Sequence, residues 1–287
     1  MKTPVIWFGG KSRLVPWLLS LLVEMGPHTC YCEPFAGGAA LLFAKPPSPV
    51  EILNDLDQGV VGFFRVLRDP LLFQRLHYAL LYTPWSRADL EECERTWKRI
   101  DDPVERVRRW FVVVRQSFTH EVEGANWFCS KKENQALRFA HAVHDLALAA
   151  ERLRHVQVEC SSFDHVLRLY DDPETLFYCD PPYLPEVRVD GSYTHEMTAE
   201  QHEQLLEQLC ACRAQIMLSG YPSALYDRML RGLEWRRVEK TREMSIGNSS
   251  THRRSYRTEC VWIKAHRPSL FFSLGEVPVG QEAQQGG

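Results

Sequence analysis

An α/β fold, in which a mostly parallel sheet is wound by helices and interrupted by a helical segment, is what the sequence predicts. Two patterns carry that expectation. Short apolar runs bounded by polar residues recur in "TCYCEPF", "VEILND", "VQVEC", "TLFYCD" and "AQIMLSG", with helical spacing between them. Strand alternating with helix in this way is the mark of βαβ units. Between residues 69 and 155 the pattern changes to long amphipathic stretches rich in Trp, Arg and Glu, with no convincing strand.

Each element follows from local chemistry. After an opening loop, residues 14–25 have the apolar spacing of a helix that ends before Gly26-Pro27. "TCYCEPF" reads as a strand that runs into "AGGAALLFA", where glycines at the turn lead into an apolar helix and let a ligand approach the backbone. "VEILND" is the next strand and 58–67 the next helix. Beyond the helical segment come "VQVEC", "TLFYCD", a helix over 198–212, "AQIMLSG" and a helix over 222–230. "EWRRVEKT" and "RTECVWIKA" are expected to pair as an antiparallel hairpin that closes the sheet. Residues 268–287, ending in "GQEAQQGG", are polar enough to be expected disordered.

Composition excludes several classes. With 45% hydrophobic and 25% charged residues, the 287-residue chain is neither fibrous nor wholly disordered. No apolar run approaches the roughly 18 residues of a membrane span, and "MKTPVIWFGGKSRL" lacks the basic-then-apolar layout of a signal peptide. A cytoplasmic location is expected. Nine cysteines without a Cys-x-x-Cys pair agree with reduced, buried thiols. His141 and His144 share a helix face without further ligands at metal spacing, so no metal is expected. The net charge of −3 hides two basic clusters. Arg106, Arg108, Arg109 and Arg115 interleave with aromatics in "ERVRRWFVVVRQSF", and residues 231–257 are basic around "GNSSTHRR". Cations beside aromatics suit a phosphate backbone and unstacked bases, although a solvated helix face accounts equally well for the first cluster. The candidate phosphate-backbone contacts are Arg109, Arg115, Arg188, Asn248, Arg253 and Arg254.

The most pointed stretch is "TLFYCDPPYLPE". A buried strand there puts Asp180 at its carboxyl end, where open α/β sheets bind ligands. Pro181 and Pro182 fix φ and offer carbonyls without donors, which makes a stiff bracket of acceptors beside the Tyr183 ring. The plain alternative is a strand ending in a turn, since Asp-Pro commonly opens one. "WFGGKS" is not a triphosphate loop, because Val5 occupies the place of the first glycine. Gly9 and Gly10 instead give Lys11 the freedom to reach a carboxylate. "EPFAGGAAL" is not the dinucleotide fingerprint either, but about twenty residues on, Asp55 of "ILNDLD" ends the next strand, where an acid accepts hydrogen bonds from a ribose. Together these describe a site for a nucleoside-bearing ligand.

In that order, "WFGGK", "EPFAGGAAL", "LNDLD", "DPPY", "YTHEMTAEQHEQLL" and "RTECVWI" resemble the Dam family of DNA adenine N6-methyltransferases, including phage and orphan members. The resemblance implies a Rossmann-like S-adenosylmethionine-dependent methyltransferase sheet with an inserted helical recognition domain. Residues 1–68 and 156–267 would form the catalytic domain and 69–155 the target-recognition domain. Trp7, Gly10 and Lys11 would hold the adenine and methionine ends of S-adenosyl-L-methionine, with Phe35 and Gly37 lining the same site. Asp55 would take the ribose and Asp164 of "SSFDHV" the adenine amino group, and Asp180 would belong to the cofactor site as well. Asp180, Pro181, Pro182 and Tyr183 would act on a target adenine flipped out of double-stranded DNA. "THEVEGANWFCSKKEN" departs from the pattern of members that read GATC, so no target sequence is assigned. Three alternatives stay open at this stage: a cytosine-N4 methyltransferase sharing the four-residue motif, a catalytically silent DNA-binding protein of the same fold, and an RNA methyltransferase, which the DNA-like motif order disfavours. Monomer or oligomer is not decided by the sequence.

Overall fold

The computed structural model describes residues 1–7, 9–118, 122, 124–187, 195–232, 234–244 and 255–265. Seven strands form one sheet: β1 (Cys30–Glu33), β2 (Val50–Asn54), β3 (Val156–Glu159), β4 (Thr175–Cys179), β5 (Gln215–Gly220), β6 (Trp235–Met244) and β7 (Ser255–Lys264). Their spatial order is β3-β2-β1-β4-β5-β7-β6. The first five pair in parallel, whereas β7 runs antiparallel to both β5 and β6. The expected closing hairpin is therefore present, with its second strand between β5 and its first.

Burial on both faces explains the continuous apolar strands. Tyr31, Leu53, Leu176, Tyr178, Met217 and Val261 enter one core, and their neighbours Cys32, Ile52, Phe177, Cys179, Ile216 and Cys260 enter the other. This alternation is the period-2 geometry of a strand. The second core is covered by α8 (Phe163–Tyr170), α9 (Ala199–Ala211) and α10 (Ala224–Met229). On the first lie α1 (Val15–Met25), α2 (Ala40–Ala44) and α3 (Gln58–Arg68). Side-chain caps fix the starts of several helices. Asp57 accepts the Gly59 and Val60 amides at α3, and Thr198 with Gln201 makes a capping box at α9.

The stretch read as helical carries α4 (Pro70–Leu81), α5 (Arg87–Thr96), α6 (Pro103–Gln116) and α7 (Gln135–Leu153), plus one bridge between Ser117 and Trp127. These helices share the first core rather than enclosing one of their own: Trp110, Phe111, Val143 and Leu146 belong to the cluster that holds Tyr31 and Leu53. Phe63 of α3 stacks on Phe111 at 5.6 Å. A Cβ on Gly59 would come within 2.2 Å of the Trp110 indole nitrogen, so the seam between α3 and α6 closes only over a glycine. At its far end α7 is held by Arg152, whose guanidinium is 2.5 Å from Glu51 at the start of β2, where Lys45 also pairs.

Among the described residues no helix is long and apolar enough to cross a membrane, and no cluster of metal-ligating side chains occurs. The cysteines are free, but Cys129 and Cys160 are exposed rather than buried as expected. The 268–287 segment lies outside the described residues.

Candidate active site

Strand order reverses between β1 and β4, and a crevice opens there at the carboxyl ends of the parallel strands, as the geometry of open α/β sheets requires. It is lined from the opening segment (Trp7, Gly10, Lys11), the turn after β1 (Glu33, Phe35, Gly37), the end of β2 (Asn54, Asp55), the loop into α8 (Ser161, Phe163), the end of β4 (Tyr178, Asp180, Pro182) and the approach to α9 (His195, Met197).

The glycine turn forms its floor. Gly37 has φ +46°, and a Cβ there would lie 2.8 Å from the Trp7 ring, so Trp7 packs directly on bare backbone. Gly10 is equally tight, its missing Cβ falling 2.8 Å from the Trp7 carbonyl. Asn54, fully buried, stitches three loops together: its amide donates to the Pro34 and Ser161 carbonyls at 2.9 Å each, and its oxygen accepts the Ser161 amide.

Two carboxyl groups in the crevice titrate abnormally. Asp55 accepts the Gly37 amide at 2.8 Å on one oxygen and the Asp57 amide at 2.9 Å on the other, yet burial outweighs these bonds and pushes it up to about 6. Each oxygen retains a lone pair for a ligand. Glu33, 1% exposed, is raised further by burial, to about 8, although Tyr31 and the Leu42 amide both donate to it. At neutral pH Glu33 is therefore largely protonated.

At the opposite wall the Lys11 ammonium lies 2.7 Å from Asp180, donates to the Gly9 carbonyl at 3.0 Å and sits 4.6 Å from the Tyr183 ring centre. The Tyr183 hydroxyl donates to Glu259 at 3.1 Å, and its ring meets Tyr221 edge-on at 4.7 Å. Pro181 is buried beneath, and Pro182 faces the crevice.

Trp7, Gly10, Lys11, Phe35, Gly37, Asp55, Asp180 and Pro182 thus come together around one crevice. Asp164 does not. It stands in the first turn of α8 with its carboxylate 2.7 Å from Arg168, one turn on, and the crevice is lined instead by the preceding residue, Phe163. A helix turns each successive side chain by about 100°, which carries Asp164 away from the face that Phe163 occupies. The Phe163 ring is 5.7 Å from Phe35.

The arginine cluster also needs correction. Arg109 is bonded to Glu105 at 2.7 Å and to Thr96, with Glu92 at 3.5 Å, so it ties α5 to α6 instead of presenting a cation to solvent. Arg108 is held by the same Glu105, and Arg106 by the Ile100 carbonyl. Arg115 differs: it is half-buried beside Phe111, has no carboxylate within ion-pair distance among the described residues, and is lowered by burial to about 10. Arg188, Asn248, Arg253 and Arg254 lie outside the described residues.

Sequence reasoning missed Glu33, Asn54, Phe163, His195, Tyr221 and Glu259. Glu33 and Asn54 stood inside quoted motifs but were read as strand ends. Glu259 left one trace, a charged residue where the alternation of β7 should have stayed apolar.

A wound, mostly parallel sheet with acids at two strand ends and a glycine floor between them defines an α/β protein with a ligand crevice at its switch point. The chain belongs to the D12 class of N6 adenine-specific DNA methyltransferases, whose family pattern matches residues 7–244. It is thus an enzyme that methylates adenine N6 in DNA from S-adenosyl-L-methionine, and the cytosine, silent and RNA alternatives fall away. Among solved structures it is similar to the rRNA methyltransferase aviRa from Streptomyces viridochromogenes, at 14% identity over 91% of this chain and 87% of that chain, with a TM-score of 0.37. A likeness that slight bears on neither fold nor function.

The crevice fits the cofactor. Bare glycine backbone packed on Trp7, two Asp55 oxygens with spare lone pairs and the Phe35 and Phe163 rings are the groups that a nucleoside-bearing ligand needs.

Proposed function

We propose that Asp180 and the Pro181 carbonyl accept the two amine hydrogens of an adenine turned out of double-stranded DNA, with Tyr183 stacked on the base. The observation that carries this reading is the shared crevice of Asp180 and Asp55, bridged by the glycine floor. The exocyclic amine is a poor nucleophile because its lone pair is delocalised into the ring. Two fixed acceptors favour a pyramidal nitrogen, and such preorganisation is typically worth a factor of about 10² to 10³ in rate per acceptor. Asp180 then receives the proton that the methylated amine sheds.

S-adenosyl-L-methionine supplies the methyl group on a sulfonium. Asp55 would accept from its ribose, Phe35 and Phe163 would flank its adenine, Trp7 and Gly37 would form the floor with Gly10, and Lys11 would attend its methionine end. Tyr183 is only 5% exposed, so a base reaches its ring by displacing a neighbour. Lys11, 4.6 Å from the ring centre, is one such neighbour, and moving it breaks its ion pair with Asp180.

The extruded base pays an unstacking cost of a few kcal/mol, which contacts to the DNA offset. We assign target recognition to residues 69–155, with Arg115 as its available cation, and backbone contacts to Arg188, Asn248, Arg253 and Arg254 on composition and position in the sequence. The test is Asp180→Asn. It should keep cofactor affinity while nearly abolishing single-turnover methyl transfer; transfer within a fewfold of wild type would refute the role.

A further inference from the structure

One face of β7 changes character along its length. Ile263 and Val261 point into the first core, and Glu259 and Arg257 continue the same face beyond it. Because β7 is antiparallel to β5, this charged end stands at the carboxyl rim of the parallel strands, beside the "DPPY" bracket. Glu259 is 4% exposed and takes the Tyr183 hydroxyl at 3.1 Å. Arg257 donates to the Tyr221 hydroxyl at 3.3 Å, and the Tyr221 ring meets the Tyr183 ring at 74°. Burying a carboxyl group is costly unless it is bonded, and the Tyr183 hydroxyl is one of the groups that bonds it.

We propose that Glu259 is a positioning residue for methyl transfer: by accepting the Tyr183 hydroxyl it sets the plane of the ring on which the target adenine stacks. This rests on the reading that Tyr183 stacks on the base. A tyrosine ring turns easily about its terminal torsion and rocks about Cβ. Asp180 fixes where the amine sits within the base plane, whereas only a tether at the far end of Tyr183 fixes the height and tilt of that plane. Glu259 supplies the tether and Tyr221, held in turn by Arg257, supplies the stop against which the ring rests. A misplacement of about 1 Å at a reacting atom costs on the order of 10²-fold in rate.

The experiment compares Glu259→Ala, Glu259→Gln, Tyr183→Phe, Tyr183→Ala and the Glu259→Ala/Tyr183→Phe double variant, using unmethylated genomic DNA as substrate. Measured are kcat, KM for DNA, cofactor affinity by calorimetry, and melting temperature. Glu259→Ala should lower kcat roughly 10- to 100-fold, the range for losing a hydrogen bond to a charged group, with cofactor affinity within about twofold of wild type. Glu259→Gln, which still accepts from the phenol, should recover most of that loss. Tyr183→Phe should resemble Glu259→Ala, and the double variant should be no worse than the poorer single one. A kcat near wild type in Glu259→Ala, no recovery in Glu259→Gln, or additive losses in the double variant would overturn the positioning role. A normal kcat in Tyr183→Ala would instead show that the stacking reading itself fails. If Glu259→Ala does not fold, Glu259→Gln and Tyr183→Phe still decide the matter, because a tether made by hydrogen bonding survives the first and is lost in the second.

Discussion

The Lys11 ammonium and the Asp180 carboxylate meet at 2.7 Å, with side chains 6% and 18% exposed. A charge pair this dry exists because each partner offsets the other's desolvation. Lys11→Met should therefore destabilise the protein by about 2 to 3 kcal/mol, below the value for a fully buried pair because Asp180 keeps some water. Adding Asp180→Asn to it should restore much of that stability but none of the activity. Denaturant titration of the three variants checks the coupling; equal losses that simply add would show that the pair is incidental.

Cofactor affinity should depend on pH through Asp55. Its pKa is about 6 in the fold, raised by burial, so the charged acceptor is present only above that value. Binding of S-adenosyl-L-methionine should strengthen as pH rises from about 5 to 7 and level off. Glu33, Asp180, Lys11 and His195 face the same crevice, so the assignment needs Asp55→Asn, in which this rise should vanish while overall affinity falls by about 1.5 to 3 kcal/mol. Calorimetry at several pH values reads both; an unchanged slope in the variant would move the titration to another group.

Glu33 makes a stability prediction of its own. Its folded pKa of about 8 stands above the ordinary 4.5. An acid shifted in that direction contributes stability that is fully present below the unfolded pKa and is lost as pH rises through the folded one. Without ligand, the wild type should lose stability between about pH 4.5 and pH 8 relative to Glu33→Gln. Melting temperature against pH for the two proteins checks it, and parallel curves would mean that Glu33 ionises normally.

Arg109 and Arg115 should separate. Arg109→Ala removes an internal tie between α5 and α6 and should cost about 1 kcal/mol of stability with little effect on DNA binding. Arg115→Ala should leave stability closer to wild type and weaken DNA binding, with a salt slope flatter by about one if its partner is a phosphate. Filter binding at several salt concentrations distinguishes them. Exchanging residues 69–155 with those of a relative should carry the target sequence along, provided that Gly59 and Trp110 are matched across the seam.

How far the sequence could be read depends on what kind of force sets each feature. The strands were legible because a sheet buried on both faces leaves continuous apolar runs, and the place of Asp55 and Asp180 on the crevice because each follows a strand at the carboxyl edge of the sheet. Arg109 was misread because a basic cluster looks alike whether its charges face solvent or Glu105 and Glu92. Only the packing of α5 on α6 settles that. Asp164 was displaced by one residue, since the resemblance names a motif while helix geometry decides which of two neighbours faces inward. Glu259 and Asn54 act through partners far along the chain, Tyr183 in one case and Pro34 and Ser161 in the other, and no local pattern records such pairings.

The crevice draws on the opening segment, the carboxyl ends of β1, β2 and β4, the loop into α8 and the approach to α9. Residues 3–57 supply most of it, but Tyr178, Asp180, Pro182 and the approach to α9 come from far along the chain. Contacts so distant in sequence form late, after loop closure has been paid for. Cofactor capture should then act as a clock for maturation: in a refolding experiment, or on a ribosome releasing the chain, helical signal would accumulate first and S-adenosyl-L-methionine would bind only once β4 has docked beside β1.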